Sequence, residues 1–369
     1  MKKIGIITVP DYDNYGNRLQ NFAVKEFFSQ MGYAVDTLEL NDVEFSKYRI
    51  RKIKLSLKKF RLRPIVYMFE FLNGKSAKVS RYRKFECFTE KHLNVKYYPN
   101  GKQKKLKKIS DKYDYIVLGS DQIWHPTVMT TPNLFFATFA EPEKVLFFAP
   151  SFGLDSLSDV YAQKVRSGLL NKNNITVRED SGRKIINELV GKEATVLPDP
   201  TLCISVDSWK KLTFQFNYSQ NKPYILKYFL GNESEVYKRE FHKIKDEHNC
   251  DILEIGNKGG ECGYITGPQE FLGAIMNAEY VITDSFHAVV FCIIFHKPFT
   301  VFSRLNKMNE KEGLDSRIDG LLEKFGMQNR KFSSCEKKSV DVVDFSKCKE
   351  ILDSIRHNTE EYFENIMTK

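Results

Sequence analysis

Residues 280–299 read Tyr-Val-Ile-Thr-Asp-Ser-Phe-His-Ala-Val-Val-Phe-Cys-Ile-Ile-Phe-His-Lys-Pro-Phe, and no other stretch of the chain restricts the fold so tightly. Tyr280, Val281, Ile282 and Thr283 are β-branched or aromatic, as a strand interior prefers. Asp284 and Ser285 carry short side-chain oxygens of the kind that cap the first N–H groups of a helix. Residues 288–295 are apolar on every side, so the helix they form has to be enclosed by other elements, and Pro298 closes it. A buried strand feeding a buried helix is the unit of an α/β fold with a parallel sheet. The polar part of the stretch is the strand-to-helix junction. Unpaired N–H groups and the positive end of the helix dipole make that junction a seat for a phosphate or carboxylate, with Ser285 beside it and His287 in the first turn. The alternative for His287 is a structural histidine held by Ser285 or Asp284.

The same pattern recurs along the chain. Residues 3–9 read as a buried strand, residues 11–17 as a polar turn, 18–31 as a helix ending at Gly32, and 33–40 as a second strand. This βαβ unit places its first loop, with Asp13, Asn14 and Asn17, at the carboxyl edge of the sheet, where open α/β sheets bind ligands. Asn14 and Asn17 suit either a ligand contact or the turn itself, since Asn tolerates left-handed backbone. No G-x-G-x-x-G stands here, so a dinucleotide fingerprint is absent. Strand followed by polar turn returns at 112–124, 144–153 and 174–182, bringing Asp121, Trp124 and Arg178 to strand ends. Carboxyl ends of parallel strands converge, so these turns are expected to line one cleft. Trp124 reads as either a sugar platform or a core residue, and Arg178 as either a cleft cation or half of a surface ion pair with Glu179 or Asp180.

A proline-punctuated stretch at 194–202 reads as a crossing between domains. Strands at 223–230 and 250–256 and helices at 233–248 and 269–277 follow, then the strand–helix stretch above and a last strand at 299–302. Arg304, Lys307 and Arg317 fall in the polar loop and helix start beyond it. With 369 residues, two domains are expected: a Rossmann-like domain over 1–193, a second over 194–335, and a helical tail at 336–369 that packs back on the first.

The net charge of +10 is concentrated rather than spread. Residues 47–63 alternate basic and apolar side chains, and further lysines and arginines follow to residue 108, which together read as a basic helical arm at about 45–110 inserted in the first domain. The arm suits a solvated helical face, or a membrane-surface helix resting on anionic lipid; nothing else in the chain supports nucleic acid. Seven scattered cysteines without a C-x-x-C pair indicate neither a disulfide framework nor a zinc site, and no metal or bound cofactor is expected. No secretory signal is apparent, and no apolar run reaches the roughly 18 residues of a membrane span. The expected location is cytoplasmic, with peripheral contact at the inner face of the membrane through 47–63.

Five motifs, in order, resemble the polysaccharide pyruvyl transferase family: Ile-Gly-Ile-Ile-Thr at 4–8 with Asn-Tyr-Gly-Asn-Arg-Leu-Gln at 14–20; Ile-Val-Leu-Gly-Ser-Asp-Gln-Ile-Trp at 116–124; Ala-Pro-Ser-Phe-Gly at 149–153; Val-Arg-Glu-Asp at 177–180 with Asp-Pro-Thr-Leu at 199–202; and Thr-Asp-Ser-Phe-His at 283–287 with Lys-Pro-Phe at 297–299. The resemblance implies two Rossmann-like domains facing a cleft, as in GT-B glycosyltransferases. It also implies phosphoenolpyruvate as donor, and a cyclic pyruvate ketal formed on two hydroxyls of a sugar in a cell-surface glycan precursor. Such chemistry needs cations for a carboxylate and a phosphate, and a general acid or base.

By these matches Arg178 is expected to clamp the donor and His287 to bind phosphate or act as the acid/base, with Arg317 a further cation and Arg304 its rival. Ser285, Asn14, Asp121 and Trp124 are expected to contact substrate. Two departures stand out. Asn17 occupies the place where the family's N-terminal loop carries an aspartate proposed as an acid, leaving Asp13 and, at another strand end, Asp121 as nearby carboxylates, and Ala288 replaces the glycine that follows the histidine. The basic arm suits a lipid-linked acceptor. Two other functions fit the same fold: a nucleotide-sugar glycosyltransferase, and a non-catalytic glycan-binding or assembly protein.

Overall fold

The computed structural model describes residues 1–41, 76–99, 103–128, 132–213, 222–256, 266–311, 315–333 and 343–367. The basic stretch 47–63, and with it the expected membrane contact, lies outside them, as does most of the glycine-rich loop before Gly267. Among the described residues, no helix is long and apolar enough to cross a membrane. The chain divides into two compact units, Met1–Ile204 with Asn358–Lys369, and Ser205–His357.

The first unit runs β1 (Lys3–Ile7), α1 (Tyr15–Gln30), β2 (Ala34–Asn41), α2 (Ser76–His92), β3 (Val95–Pro99), α3 (Gln103–Ser110), β4 (Tyr115–Leu118), α4 (Pro132–Phe135), β5 (Val145–Phe147), α5 (Asp159–Leu169), β6 (Thr176–Val177), α6 (Asp180–Val190) and β7 (Thr195–Val196). The five-stranded sheet has the order β3-β2-β1-β4-β5, and every pairing in it is parallel. β6 and β7 form a separate parallel pair. Both neighbours of β1 are reached by crossovers running in opposite directions, so the sheet's switch point lies between β1 and β4. This is a Rossmann-like arrangement, in which ligands bind outside the carboxyl ends of the strands at that point.

Apolar residues explain how the layers close. α1 buries Leu19, Phe22, Ala23, Phe27 and Phe28, and the rings of Phe28 and Phe148 lie 5.0 and 4.9 Å from that of Phe363. Phe363 belongs to the last helix, α12 (Cys348–Met367), whose end from Asn358 is part of this unit.

The insertion between β2 and β4 is helical in part, but from Ser76 onward it is built into the core rather than standing off it. Phe85 and Phe88 of α2 are buried and meet Tyr15 and Phe22 of α1 at ring separations of 5.3 and 6.3 Å. β3, which the residue pattern did not announce, becomes the edge strand beside β2.

The second unit contains α7 (Val206–Leu212), β8 (Tyr224–Tyr228), α8 (Glu235–His248), β9 (Asp251–Ile255), α9 (Pro268–Asn277), β10 (Tyr280–Thr283), α10 (Phe286–Phe295), β11 (Phe299–Val301), α11 (Asp315–Lys324) and the first part of α12. Its sheet has the order β11-β10-β8-β9, again parallel throughout, with the switch point between β8 and β10. α10 is enclosed as its composition requires: Ala288 to Ile293 are fully buried, and Phe291 packs edge-on against Trp209 at 4.9 Å. Both units are therefore Rossmann-like α/β layers.

Candidate active site

In the first unit a polar network occupies the switch point. Asn14 is the N-cap of α1, its side-chain oxygen accepting from the Asn17 N–H at 3.2 Å. This is a helix-capping duty of the sort Asn performs well. Asn17 is 1% exposed. Its Oδ1 accepts from the Asp11 N–H and from Nε and Nη2 of Arg18 at 3.1, 3.1 and 2.8 Å, and its Nδ2 donates to Asp121 Oδ2 at 3.0 Å. The amide is thus oriented by its surroundings, with its donor side on Asp121.

Asp13, expected among the catalytic residues, is paired with Arg81. Its carboxylate accepts from Arg81 Nε at 2.9 Å, and the Arg81 side chain is 2% exposed. Arg81 Nη2 also donates to the Asp13 carbonyl at 2.8 Å and Nη1 to the Tyr15 hydroxyl. The Asp13 side chain is 48% exposed, and these contacts with the buried Arg81 anchor its loop to α2. Trp124 is a core residue and no sugar platform: it is fully buried, its indole N–H donates to the Phe135 carbonyl at 3.0 Å, and rings of Phe136, Phe147 and Phe152 surround it.

Arg178 lies at the end of β6 with its side chain only 3% exposed, and Nη1 donates to Asp199 Oδ2 at 2.6 Å. Burial works against its charge, but Asp199, Glu179 and Asp121 together hold its pKa above the ordinary arginine value. Asp199 in turn accepts from the backbone and hydroxyl of Thr201. Glu179 accepts from the Ser151 hydroxyl and the Phe152 N–H at 2.7 and 3.1 Å, which ties β6 to the turn after β5. The motif residues at 149–153, 177–180 and 199–202 are therefore bound to one another. In this arrangement Arg178 is the hub of a buried ion-pair network and does not offer its guanidinium to solvent.

Asp121 joins this cluster through the Asn17 amide. It is partly exposed, at the carboxyl end of β4, and takes the left-handed conformation with φ of 74°, which few non-glycine residues adopt without a local reason. Its carbonyl accepts from the Ile123 and Ser151 N–H groups at 2.8 and 3.0 Å, so the turn is held from both sides.

In the second unit the junction of β10 and α10 carries the site. Ser285 caps α10, its hydroxyl accepting from the Ala288 N–H at 3.5 Å. Asp284 takes a different part: its carboxylate accepts from the backbone N–H groups of Leu230 and Gly231 at 2.8 and 2.7 Å, joining the ends of β8 and β10 across the switch point. Arg304, just beyond β11, sits on the same aspartate, Nε lying 3.7 Å from Asp284 Oδ2 and Nη2 donating to the Asp284 carbonyl at 3.4 Å. Only glycine fits at 231, since a Cβ there would lie 2.6 Å from Arg304 Cγ and 2.7 Å from the Leu305 carbonyl oxygen.

His287, partly buried, stands edge-on to Phe286 with ring centroids 5.4 Å apart, and the Arg317 guanidinium lies 5.9 Å from the same ring, within cation–π range. The first turn of this largely buried helix thus carries His287, with Arg304 on the preceding Asp284 and Arg317 beside the Phe286 ring. The strand–helix junction pointed to His287 and Ser285, and the family resemblance to the two arginines. The roles of Asp284 and Gly231 depend on β8, fifty residues away in sequence, and carried no local signal beyond the glycine itself.

Comparison with solved structures finds full-length but distant likenesses. They include a S. aureus MnaA–UDP co-structure (13% identity, covering 100% of this chain and 98% of that one, TM-score 0.48). A UDP-GlcNAc 2-epimerase from Neisseria meningitidis bound to UDP-GlcNAc shares 10% identity over 97% and 100% of the two chains, with a TM-score of 0.45. The E. coli heptosyltransferase WaaC with ADP shares 8% over 96% and 99%, with a TM-score of 0.39. No curated protein matches the chain. The family model for polysaccharide pyruvyl transferase, in contrast, matches residues 14–306, which takes in the α1 cap, the buried Arg178 network, the Asp284 bridge and the α10 seat. The chain belongs to the polysaccharide pyruvyl transferase family.

Proposed function

We infer that the protein transfers a pyruvyl group from phosphoenolpyruvate to two hydroxyls of one sugar in a cell-surface glycan precursor, forming a cyclic ketal and releasing phosphate. The observation that carries this reading is the α10 N-terminus flanked by His287, Arg304 and Arg317. Phosphoenolpyruvate presents a phosphate and a carboxylate on one small carbon frame. A helix N-terminus offers N–H groups and a positive dipole end to one anion, and the arginines offer paired donors to either. His287, in the first turn of the same helix, is placed to hand a proton to an anion or enol held there, and it is the acid in this reading. Asp284 keeps Arg304 and the β8 turn in place and touches no substrate. A lipid-linked acceptor, met at the inner face of the membrane, belongs to the same reading, since residues 47–63 are strongly basic.

The test is ligand-dependent thermal stability followed by turnover. Phosphoenolpyruvate is expected to raise the melting temperature, and UDP to leave it unchanged. Incubation with phosphoenolpyruvate and a panel of free and lipid-linked sugars is expected to release phosphate and add a pyruvyl mass to the acceptor. A shift with UDP alone would overturn the donor assignment in favour of a nucleotide-sugar enzyme, and no shift with either would favour a binding protein.

A further inference from the structure

The second unit holds a cleft of about 530 Å³ at the other end of α10 from Ser285 and His287, and its walls are residues of that unit alone. One wall is the end of α10 from Ile294 to Lys297, beside Met276 of α9 and the start of α7. The other is α12, where Lys349, Leu352, Asp353 and Arg356 recur at the three- and four-residue spacing of a single helix face. The ends of α9 and α10 lead into β10 and β11, so the cleft lies at the amino edge of the sheet. Rossmann-like sheets hold their substrates at the carboxyl edge, which here is about 15 Å away along the ten residues of α10.

We propose that this cleft binds an amphiphilic phosphate monoester, with its head on Lys210 and Lys297 and its aliphatic body on the apolar floor. Four cations, Lys210, Lys297, Lys349 and Arg356, stand against the two carboxylates Asp207 and Asp353. The excess is two positive charges, and a phosphate monoester carries about two negative ones at neutral pH. Asp353 already holds both cations of its own helix, Lys349 at 3.0 Å and Arg356. Among the described residues, neither Lys210 nor Lys297 forms an ion pair, so these two are the donors left to a ligand. His296 adds nothing to the count: burial and Lys210 hold its pKa below the ordinary histidine value, so it stands neutral. The floor is chiefly aliphatic, with Val206 and Met276 partly exposed and Ile294 and Leu352 at 3% and 4%. Both rings at the cleft are already stacked, Phe295 on Phe291 at 6.0 Å and His296 on Phe345 at 5.1 Å. A hydrocarbon body therefore fits better than an aromatic base.

Calorimetric titration of the full chain with alkyl phosphates below their micelle concentrations tests the assignment. Octyl phosphate is expected to bind one per chain, and each two methylenes between butyl and octyl phosphate to tighten binding by roughly tenfold. Inorganic phosphate and octanol, each carrying one half of the ligand, are expected to bind at least about tenfold more weakly than octyl phosphate. Octanoate, with a single charge, should fall below octyl phosphate as well. Lys210→Ala, at an exposed position, is expected to weaken octyl phosphate about threefold, and Lys210→Glu with Lys297→Glu about tenfold or more. Affinity that ignores chain length, inorganic phosphate binding as tightly as octyl phosphate, or an unchanged affinity in the lysine variants overturns the assignment. Pyruvyl transfer is not read in this titration, so its outcome stands apart from the function proposed above.

Discussion

Arg178 Nη1 donates to Asp199 Oδ2 at 2.6 Å, and the two side chains are 3% and 0% exposed. Guanidinium and carboxylate have both left water, so each depends on the other for its charge to be tolerable in the interior. Arg178→Ala would strand the Asp199 carboxylate and is expected to cost about 3–5 kcal/mol of folding stability, read by urea denaturation. Arg178→Met combined with Asp199→Leu removes both charges and should be milder than either single change. A loss below about 1 kcal/mol in Arg178→Ala would show that the arginine is available for substrate after all.

Asp284 is the acceptor for two backbone N–H groups of the turn after β8. In Asp284→Ala those buried donors lose their partner, at about 1–3 kcal/mol of desolvation each, and Arg304 loses its carboxylate. A fall in melting temperature together with a smaller phosphoenolpyruvate-induced shift is expected. Asp284→Asn keeps one acceptor oxygen and should fall between Ala and the natural residue. An unchanged ligand shift in Asp284→Ala would separate Arg304 from donor binding.

At the α10 seat the three cationic or proton-bearing groups should separate by readout. Arg304→Ala and Arg317→Ala are expected to weaken phosphoenolpyruvate binding by about tenfold or more, each removing a charge-assisted contact of about 1.5–3 kcal/mol. Lysine at either position should restore only part, because an ammonium cannot make two parallel bonds to one anion. His287→Ala should reduce turnover more than binding if it is the acid. Equal loss of binding and turnover in His287→Ala would leave it as a phosphate ligand only. Calorimetric titration beside steady-state rates distinguishes these outcomes.

Lys172 offers a pH test of the first unit. The side chain is 1% exposed, its ammonium donates to the Ala137 carbonyl at 3.1 Å, and burial pushes its pKa down from 10.5 to about 8. The unfolded chain therefore binds this proton more tightly than the folded one between those two values, and stability should rise with pH across that interval. Below about pH 8 both states are protonated and the penalty is fully present. Denaturation curves at pH 7, 9 and 10.5 should show the rise in the natural protein and its loss in Lys172→Met; identical pH slopes in the two proteins would contradict the account.

Much of the fold was legible because parallel strands buried on both faces are continuous apolar runs. The stretch from Tyr280 to Phe295 predicts a strand, a Ser285 cap and an enclosed helix, and each is found in place. β3 was missed because Val95-Lys-Tyr-Tyr-Pro99 is an edge strand with exposed residues, and its pairing with β2 supplies what its composition does not. Asp13 and Arg178 are held by Arg81 and Asp199, partners their local sequence does not announce, because a charged side chain at a strand end is equally suited to a ligand and to another charge.

The order of residues alone determined where strands, helices and caps form, and that the polar groups gather at the carboxyl ends of parallel strands. Local propensity, the period of apolar residues and capping chemistry act within a few positions of one another. Which of those polar groups remain open to solvent was decided by the tertiary structure. Arg81 closed on Asp13 across 68 residues, Arg178 on Asp199 across 21 and Asn17 on Asp121 across 104. Desolvation sets the outcome: the buried guanidinium groups of Arg81 and Arg178 have to find a counter-charge wherever the fold brings one near.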